Sequence, residues 1–257
     1  MEIFTHNAGA YLPVGDARIF YEAIGDAGRP VLLLLHGGFG NMEDFNSLLP
    51  LFIDRYYVIG IDSRGQGKST LGKEKLSYQR IQLDVEAVLQ SLDIDSFSIL
   101  GFSDGGIVAY RLGSFSSMTI ERIITIGSRW NINDALLTKA LFLKITADSW
   151  KERFPNMYSD YQRLNPEPDF ELLTRSMIDL WLDAGPSGYP NENVERINCP
   201  TLVVRGEKDH LLTAKSVMDL SKRIKNSTLF SIPFAGHVAH QGQREVFDIV
   251  VGQFLQK

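Results

Sequence analysis

Three side chains with complementary chemistry stand in loops that each follow a predicted strand: the Ser103 hydroxyl, the Asp209 carboxylate and the His237 imidazole. A serine hydroxyl is a weak nucleophile until a base within hydrogen-bond reach takes its proton, and an imidazole can do so at neutral pH. A carboxylate can hold that imidazole in the required tautomer and stabilise its charged form. The set predicts nucleophilic attack by Ser103, with His237 as the base and Asp209 as the acid that orients it.

The sequence around Ser103 is typical of a tight turn between a strand and a helix. Ser103 lies within residues 101–106 (GFSDGG), after the apolar run 97–100 and before the helix-like segment 107–112. A turn this tight imposes unusual backbone angles on the serine and leaves no room for side chains beside it, so glycine is required. The helix then points its first N–H groups at the place where an oxyanion would develop. Alone, Gly-x-Ser-x-Gly also occurs by chance in ordinary turns, so its context must decide.

Short apolar runs alternate with segments of helical spacing along most of the chain. Continuous apolar runs such as residues 31–35 are typical of strands buried on both faces of a mostly parallel sheet. Strands are predicted at residues 17–22, 31–35, 57–61, 97–100, 122–126, 199–204 and 228–232, and helices at 77–92, 107–112, 213–224 and 241–255. The fold class is therefore α/β, with a mostly parallel central sheet flanked by helices.

Residues 129–190 contain no run typical of a buried strand. This segment holds all three tryptophans, Trp130, Trp150 and Trp181, and its helical spacing is broken by prolines. We expect a helical cap inserted between two strands, with residues 1–128 and 191–257 forming the core. The tryptophans, together with Phe39 and Phe102, are candidates for the wall of a substrate pocket. Alternatively, each cap aromatic fills only the small core of the cap.

Two further glycine-containing loops follow strands. The turn at residues 36–40 (HGGFG) lets backbone N–H groups approach a ligand closely, as one arm of an oxyanion hole requires, although an ordinary turn would look the same. No Gly-x-Gly-x-x-Gly pattern opens a helix there, which excludes a dinucleotide fingerprint. Residues 67–69 (GKS) resemble the end of a phosphate loop, but position 62, where that loop needs glycine, is Asp. Nucleotide binding is rejected, and Asp62 is predicted to form an ion pair or hydrogen-bonded clamp with Arg64.

Composition and charge narrow the choice of partners. The 257 residues are 44% hydrophobic and 22% charged, and the net charge of −5 gives no field for attracting nucleic acid. The single cysteine, Cys199, excludes a disulfide within the chain. Residues 1–14 lack the features of a signal peptide, and the longest strongly apolar run, 31–35, is too short to cross a bilayer. We expect a cytoplasmic protein that acts on a small molecule, with no nucleic-acid or membrane partner; a homo-oligomer remains open.

Together these motifs resemble those of the α/β-hydrolase superfamily, over about residues 17–255. Residues 36–38 are similar to its oxyanion-loop signature, residues 101–106 to its nucleophile elbow, and residues 236–237 to its histidine loop. The segment 62–69 is similar to the loop after the following strand. The order serine, acid, histidine is also that of the superfamily. The resemblance implies an α/β-hydrolase fold with an inserted helical cap, and it implies neither a cofactor nor a metal.

The resemblance also assigns an oxyanion hole. The backbone N–H groups of Gly38 and Asp104 would form it, with Phe39 as the alternative first donor. A serine at position 103 argues against the dehalogenase and epoxide-hydrolase branches, in which the nucleophile is an aspartate. The expected activity is cleavage of small carboxylic esters through an acyl-enzyme intermediate.

The substrate is less well determined. The Asp104 carboxylate could lie near the acyl pocket and favour a cationic acyl group, or it could point into solvent or cap the helix. The run SDGG at residues 103–106 resembles that of valacyclovir-hydrolase-like esterases, which cleave amino-acid esters. Hydrolysis of lactones, thioesters or carbon–carbon bonds, a cofactor-free perhydrolase or haloperoxidase activity, and a non-catalytic ligand receptor stay open, since fold does not determine function. His240 is expected at the surface or near the site rather than as a catalyst.

Overall fold

One mixed sheet of eight strands lies at the centre of the computed structural model, which describes residues 2–256. The strands are β1 Ala10–Val14, β2 Ala17–Ile24, β3 Val31–Leu35, β4 Tyr57–Ile61, β5 Ser96–Phe102, β6 Thr119–Ile126, β7 Thr201–Gly206 and β8 Ser227–Ile232. Their order across the sheet is β1-β2-β4-β3-β5-β6-β7-β8. The pairs β1–β2 and β2–β4 are antiparallel, and the other neighbouring pairs are parallel. The predicted α/β class is confirmed.

The central strands are apolar on both faces because helices cover both. In β3, Leu33 and Leu35 belong to one hydrophobic core, and Leu32 and Leu34 belong to a second core on the opposite face. Successive side chains of a strand point to opposite faces, so a strand buried on both sides must be apolar throughout. Full burial of each leucine stabilises the fold by about 1.5–3 kcal/mol.

Helices pack on both sides of the sheet. The helices outside the β6–β7 connection are α1 Tyr78–Ser91, α2 Asp104–Phe115, α8 Ala214–Arg223, α9 Ala239–Gly242 and α10 Arg244–Gln256. As predicted, α1 begins after Ser77, whose hydroxyl accepts a hydrogen bond from the Arg80 N–H at 3.1 Å. Residues of α1, α2 and α8 lie in the core that contains Leu33, and residues of α10 lie in the core that contains Leu32.

The connection between β6 and β7, residues 127–200, is fully described and holds five α-helices, a 3-10 helix at Asn191–Arg196 and no strand. The α-helices are α3 Ile132–Leu137, α4 Lys139–Phe142, α5 Ala147–Arg153, α6 Pro155–Leu164 and α7 Phe170–Trp181. Within residues 2–256, no helix combines the length and the apolar content that a membrane crossing needs.

The predicted clamp between Asp62 and Arg64 is wrong. Arg64 is fully buried and pairs instead with Asp84 of α1, through Nε to Oδ2 at 2.8 Å and Nη2 to Oδ1 at 2.7 Å. Its Nη1 also donates to Asp16 Oδ1 at 3.1 Å. Neighbours two apart in a loop need not face each other, and this pair joins α1 to the loop after β4 instead.

The Asp62 carboxylate is turned towards the N-terminal segment. Its Oδ2 lies 2.8 Å from His6 Nε2, and the other ring nitrogen of His6 lies 2.6 Å from Glu43 Oε1. Its two oxygens also accept the N–H groups of Met42 and Lys68. Burial lowers the pKa of His6, but the hydrogen bonds and charges of its two carboxylate partners outweigh burial and leave that pKa raised. This cluster connects the chain start to the loops after β3 and β4.

Candidate active site

Ser103 lies in a strained turn between β5 and α2. Its backbone angles are φ 50° and ψ −114°, which for a residue other than glycine costs about 1–3 kcal/mol. Its N–H donates to the Ile126 carbonyl of β6 at 2.8 Å, which helps to hold this conformation. A Cβ on Gly105 would lie 2.0 Å from the Leu35 carbonyl oxygen, and one on Gly101 would lie 2.5 Å from the Gly105 carbonyl oxygen. Close packing of strand, turn and helix therefore explains why glycine stands at both positions.

The register of the parallel strands brings the loops that carry Ser103, Asp209 and His237 to one edge of the sheet. Leu35, the last residue of β3, pairs with Gly101 of β5, and Gly206 at the end of β7 pairs with Ile232 at the end of β8. The carboxyl ends of parallel strands share an edge, and this is where open α/β sheets bind ligands. The loops that carry the three predicted chemical side chains thus start from neighbouring strand ends.

The structure brings Ser103, His237 and Asp209 into a continuous hydrogen-bonded arrangement. His237 Nε2 lies 3.1 Å from Ser103 Oγ, and His237 Nδ1 lies 2.9 Å from Asp209 Oδ2. The His237 side chain is 17% exposed, whereas the Asp209 side chain is fully buried. An imidazole in this position can take the hydroxyl proton while the carboxylate holds Nδ1–H.

The environment of Asp209 keeps its carboxyl group ionised. Burial alone would raise the pKa of Asp209, but the hydrogen bond and charge of His237, with the N–H groups of Leu211 and Leu212, leave it lowered. Those N–H groups donate to Asp209 Oδ1 at 2.8 and 3.3 Å. The carboxylate is thus available to stabilise a charged imidazole.

In the predicted oxyanion loop, residues 36–40 after β3, the hydrogen bonds favour Gly38 over Phe39 as a donor. The Phe39 N–H already donates to Gln66 Oε1 at 2.5 Å, which removes Phe39 as the alternative. The Gly38 N–H has no acceptor among the described residues. The Asp104 N–H occupies the first position of α2, where a helix provides no internal acceptor. Both N–H groups are therefore free to bind an oxyanion.

His36 holds the oxyanion loop in place. Its Nε2 accepts the Ser63 N–H at 2.9 Å, so the ring proton lies on Nδ1, which donates to the Gly37 carbonyl at 2.7 Å. Buried to 1% exposure, this ring joins the loop after β3 to the loop after β4.

A cavity of about 190 Å³ opens above the serine. Its polar wall is formed by Ser103, Asp104, Arg129 and His237, and Gly38 lies beside them. Among the predicted pocket aromatics, Phe102, Trp150 and Trp181 line it. Its volume is below the roughly 300–1,000 Å³ of sites for drug-sized ligands, so it suits a small molecule.

Two of the predicted pocket aromatics do not line this cavity. The Trp130 indole N–H donates to Ser216 of α8, at 3.1 Å to its carbonyl and 3.0 Å to its hydroxyl, so the ring packs away from the serine. Phe39 lies behind the wall, with its ring centroid 4.3 Å from that of Trp150 and 5.9 Å from that of Trp181. Phe39 thus supports two wall residues rather than facing a ligand.

The Asp104 carboxylate points neither into solvent nor to the helix cap. It is 8% exposed and accepts the Tyr78 hydroxyl at 2.7 Å and the Trp181 indole N–H at 2.9 Å. Burial raises the pKa of Asp104, and the hydrogen bonds from Tyr78 and Trp181 offset only part of that effect. A Cβ on Gly38 would lie 2.4 Å from Asp104 Oδ2, which places this carboxylate beside the oxyanion loop.

His240 is buried rather than at the surface. It is 2% exposed, and its ring centroid lies 5.0 Å from that of Phe102. Burial lowers the pKa of His240 to about 4, so the ring is neutral at physiological pH. Its ring packs against Phe102, next to Ser103. Within residues 2–256, no hydrogen bond joins His240 to the Ser103 hydroxyl.

Sequence reasoning missed Arg129 as a cavity residue. A signal was present, because Arg129 follows β6 and the ends of the parallel strands share one edge. Tyr78 was also missed as the residue whose hydroxyl donates to the Asp104 carboxylate. It belongs to the predicted helix α1, and its spacing alone indicated only a core position.

This sheet, the strained serine turn and the Ser-His-Asp arrangement at its carboxyl edge define an α/β hydrolase. Residues 32–249 match the model of the alpha/beta hydrolase family, and the chain belongs to that family.

Known proteins resemble it over nearly their full length. Serine hydrolase BPHL of Mus musculus is 27% identical, with 98% of this chain and 88% of that protein covered. The 3-oxoadipate enol-lactonase 2 of Acinetobacter baylyi is 23% identical, with 96% of each covered. The crystal structure of a hydrolase from Pseudomonas aeruginosa superposes with a TM-score of 0.78 at 21% identity, with 98% of this chain and 100% of that chain covered.

Proposed function

We propose that this hydrolase cleaves small carboxylic esters through an acyl-enzyme intermediate on Ser103. The observation that carries the proposal is the pair of contacts from His237, 3.1 Å to Ser103 Oγ and 2.9 Å to Asp209 Oδ2. The small cavity and its largely apolar wall support a compact substrate.

The reaction follows from the positions of these groups. Ser103 Oγ attacks the ester carbonyl carbon while its proton passes to His237 Nε2, and Asp209 stabilises the resulting imidazolium. The negative charge on the carbonyl oxygen is held by the N–H groups of Gly38 and Asp104. When the carbon–oxygen bond breaks, the alcohol leaves with the proton from His237. Water then loses a proton to His237 and attacks the acyl carbon. The bond from that carbon to Ser103 Oγ breaks as His237 returns the proton to Oγ, which releases the carboxylic acid and restores the serine hydroxyl.

Residues 129–190 act in this proposal as a cap over the serine. Trp150 of α5 and Trp181 of α7 contribute to the cavity wall from that segment, opposite the turn that carries Ser103. A cap of this kind excludes water from the developing charge, which strengthens the hydrogen bonds to the oxyanion.

Burst and steady-state kinetics with p-nitrophenyl acetate and p-nitrophenyl butyrate test the mechanism. The wild type is expected to release one equivalent of p-nitrophenol in a burst and then turn over, whereas Ser103→Ala falls to the rate of buffer. His210→Gln, which changes an exposed histidine in the loop that carries Asp209, is the control and should retain the wild-type burst. A burst that survives in Ser103→Ala would refute the proposal.

Asp104 supports a narrower preference for aminoacyl esters. Asp104 lines the cavity, and its buried carboxylate lies beside Gly38, where it would accept hydrogen bonds from the ammonium group of an α-amino acyl chain. Comparison of alanine p-nitrophenyl ester with p-nitrophenyl propionate tests this preference. Equal rates on both esters, unchanged in Asp104→Asn, would remove it.

Lactones form a second candidate substrate class. The observation that favours them is the likeness to a protein named 3-oxoadipate enol-lactonase 2, at 23% identity over 257 residues. A lactone is a cyclic ester, so the same attack by Ser103 would open it. Rates on γ-butyrolactone and on ethyl acetate, measured side by side, decide between cyclic and open-chain esters.

A further inference from the structure

Arg129 is a buried cation in the wall of the proposed ester site. It follows β6, is 7% exposed, and lines the same cavity as Ser103 and His237. The ester mechanism proposed above does not use it. A buried charge is costly unless it is paired, so its presence in a ligand cavity calls for an explanation.

Two nitrogens of the Arg129 guanidinium donate hydrogen bonds, and both acceptors are neutral groups. Its Nε donates to the Leu211 carbonyl at 3.0 Å, and its Nη2 donates to the Thr138 hydroxyl at 2.8 Å. The guanidinium carbon also lies 4.8 Å from the centroid of the Phe142 ring. The Tyr189 hydroxyl is a further neutral neighbour, and the charge of Arg129 lowers the pKa of Tyr189 relative to burial alone. Within residues 2–256 no acceptor lies in full hydrogen-bonding geometry with Nη1, and no carboxylate lies within 4.0 Å of the guanidinium.

Two carboxylates lie farther away and have other partners. The charge of Arg129 lowers the pKa of Asp104 and of Asp134 relative to burial alone, which shows that both lie within its field. Asp104 already accepts hydrogen bonds from Tyr78 and Trp181, and Asp134 already accepts the Ser216 hydroxyl at 2.6 Å. Neither carboxylate forms an ion pair with Arg129.

Other buried arginines differ from Arg129 in one of two ways. Arg64 forms a two-bond pair with Asp84. Arg111 is 3% exposed, and its Nη1 donates to the carbonyls of Pro186 and Gly188 far from the serine turn. Arg129 combines burial, the lack of a close carboxylate and a place in the cavity wall.

We propose that Arg129 binds a carboxylate of the substrate, so that half-esters of short dicarboxylic acids are preferred to the corresponding neutral esters. This inference rests on the proposed ester hydrolysis at Ser103. The planar guanidinium fits a carboxylate with two hydrogen bonds, and Leu211 and Thr138 fix its orientation. The cavity of about 190 Å³ limits the spacer between ester and carboxylate to a few carbons.

Binding without turnover separates this inference from the hydrolase proposal. In a Ser103→Ala background, isothermal titration compares monomethyl succinate with neutral dimethyl succinate. The half-ester is expected to bind about ten-fold or more tightly, since hydrogen bonds to charged groups are the stronger ones. Arg129→Met in the same background is expected to abolish this preference, and Arg129→Lys to reduce it, because lysine retains the charge but not the planar pair of donors.

Arg111→Met is the matched control, since it removes a buried guanidinium outside the cavity and should leave the preference intact. Equal affinity for the two succinates in the parent, or a preference that persists in Arg129→Met, would overturn the inference. If Arg129→Met does not fold, an unreduced preference in Arg129→Lys overturns it. Should Ser103→Ala still hydrolyse esters, the hydrolase mechanism fails while the binding comparison remains decisive for Arg129.

Discussion

Replacing Gly38 by alanine perturbs the proposed oxyanion hole with a single methyl group. The added Cβ would lie 2.4 Å from Asp104 Oδ2, 2.9 Å from Met177 Cε and 3.2 Å from the Trp181 ring. The methionine methyl can move, but the Asp104 carboxylate is held by Tyr78 at 2.7 Å and by Trp181 at 2.9 Å. The loop that carries the Gly38 N–H must therefore move away from Asp104.

The size of that movement sets the expected loss of activity. Real Cβ contacts shorter than 3.0 Å essentially do not occur, so the two groups must separate by at least about 0.6 Å. A misplacement of about 1 Å can cost roughly 10²-fold, and removal of one oxyanion donor costs about 10²–10³ in kcat. We expect Gly38→Ala to lower kcat for p-nitrophenyl acetate by about 100-fold, with a smaller effect on KM.

Steady-state kinetics with a matched glycine control make the test specific. Gly252 lies in α10, and a Cβ there would meet nothing within 4 Å, so Gly252→Ala should retain wild-type kcat. Thermal unfolding of both variants shows whether Gly38→Ala still folds. A folded Gly38→Ala with wild-type kcat would refute the assignment of the Gly38 N–H.

Three further predictions concern stability, pH and the acid. Arg64→Met leaves the buried Asp84 carboxylate unpaired and should lower the free energy of urea unfolding by about 3–5 kcal/mol, against less than about 1 kcal/mol for the exposed pair broken in Arg223→Met. Since the pKa of His6 is raised in the folded protein, its stabilising contribution is present below about pH 6.5 and is lost as pH rises through the folded pKa. The stability difference between wild type and His6→Gln should therefore shrink from about pH 6 to about pH 9. A difference that grows over this range would contradict the pairing of a charged His6 with Asp62 and Glu43. Asp209→Asn should lower kcat by about 10⁴-fold with intact folding, and kcat within ten-fold of wild type would remove Asp209 from the mechanism.

The central strands could be predicted because burial on both faces leaves a simple pattern. Residues 31–35 and 57–61 are continuous apolar runs, and β3 and β4 have those bounds. Strand β1, Ala10–Val14, was missed because it lies at the sheet edge, contains Pro13 and consists of exposed or half-buried residues. The predicted last helix, 241–255, is divided by Gln243 into α9 and α10. Segments with weak or interrupted burial patterns give weak sequence signals.

The parts of the candidate site that could be predicted are those where the type of a residue and its place after a strand indicate the same role. Ser103, Asp209 and His237 each follow a strand, and parallel strands end at one edge. The direction of a side chain is harder to predict, because it depends on partners distant in sequence. The Trp130 indole donates to Ser216, 86 residues later in the chain, and the Asp104 carboxylate accepts a hydrogen bond from Trp181 of α7.

Mass spectrometry of the trapped intermediate tests the nucleophile most directly. The protein is mixed with p-nitrophenyl butyrate, quenched in acid during the burst and digested, and the peptides are searched for a butyryl group. The proposed mechanism predicts the adduct on the peptide that contains Ser103, on the serine itself, and its accumulation in a His237→Ala variant only at a greatly reduced rate. Turnover without an adduct on Ser103, or an adduct on a different residue that forms at the rate of the burst, would contradict it.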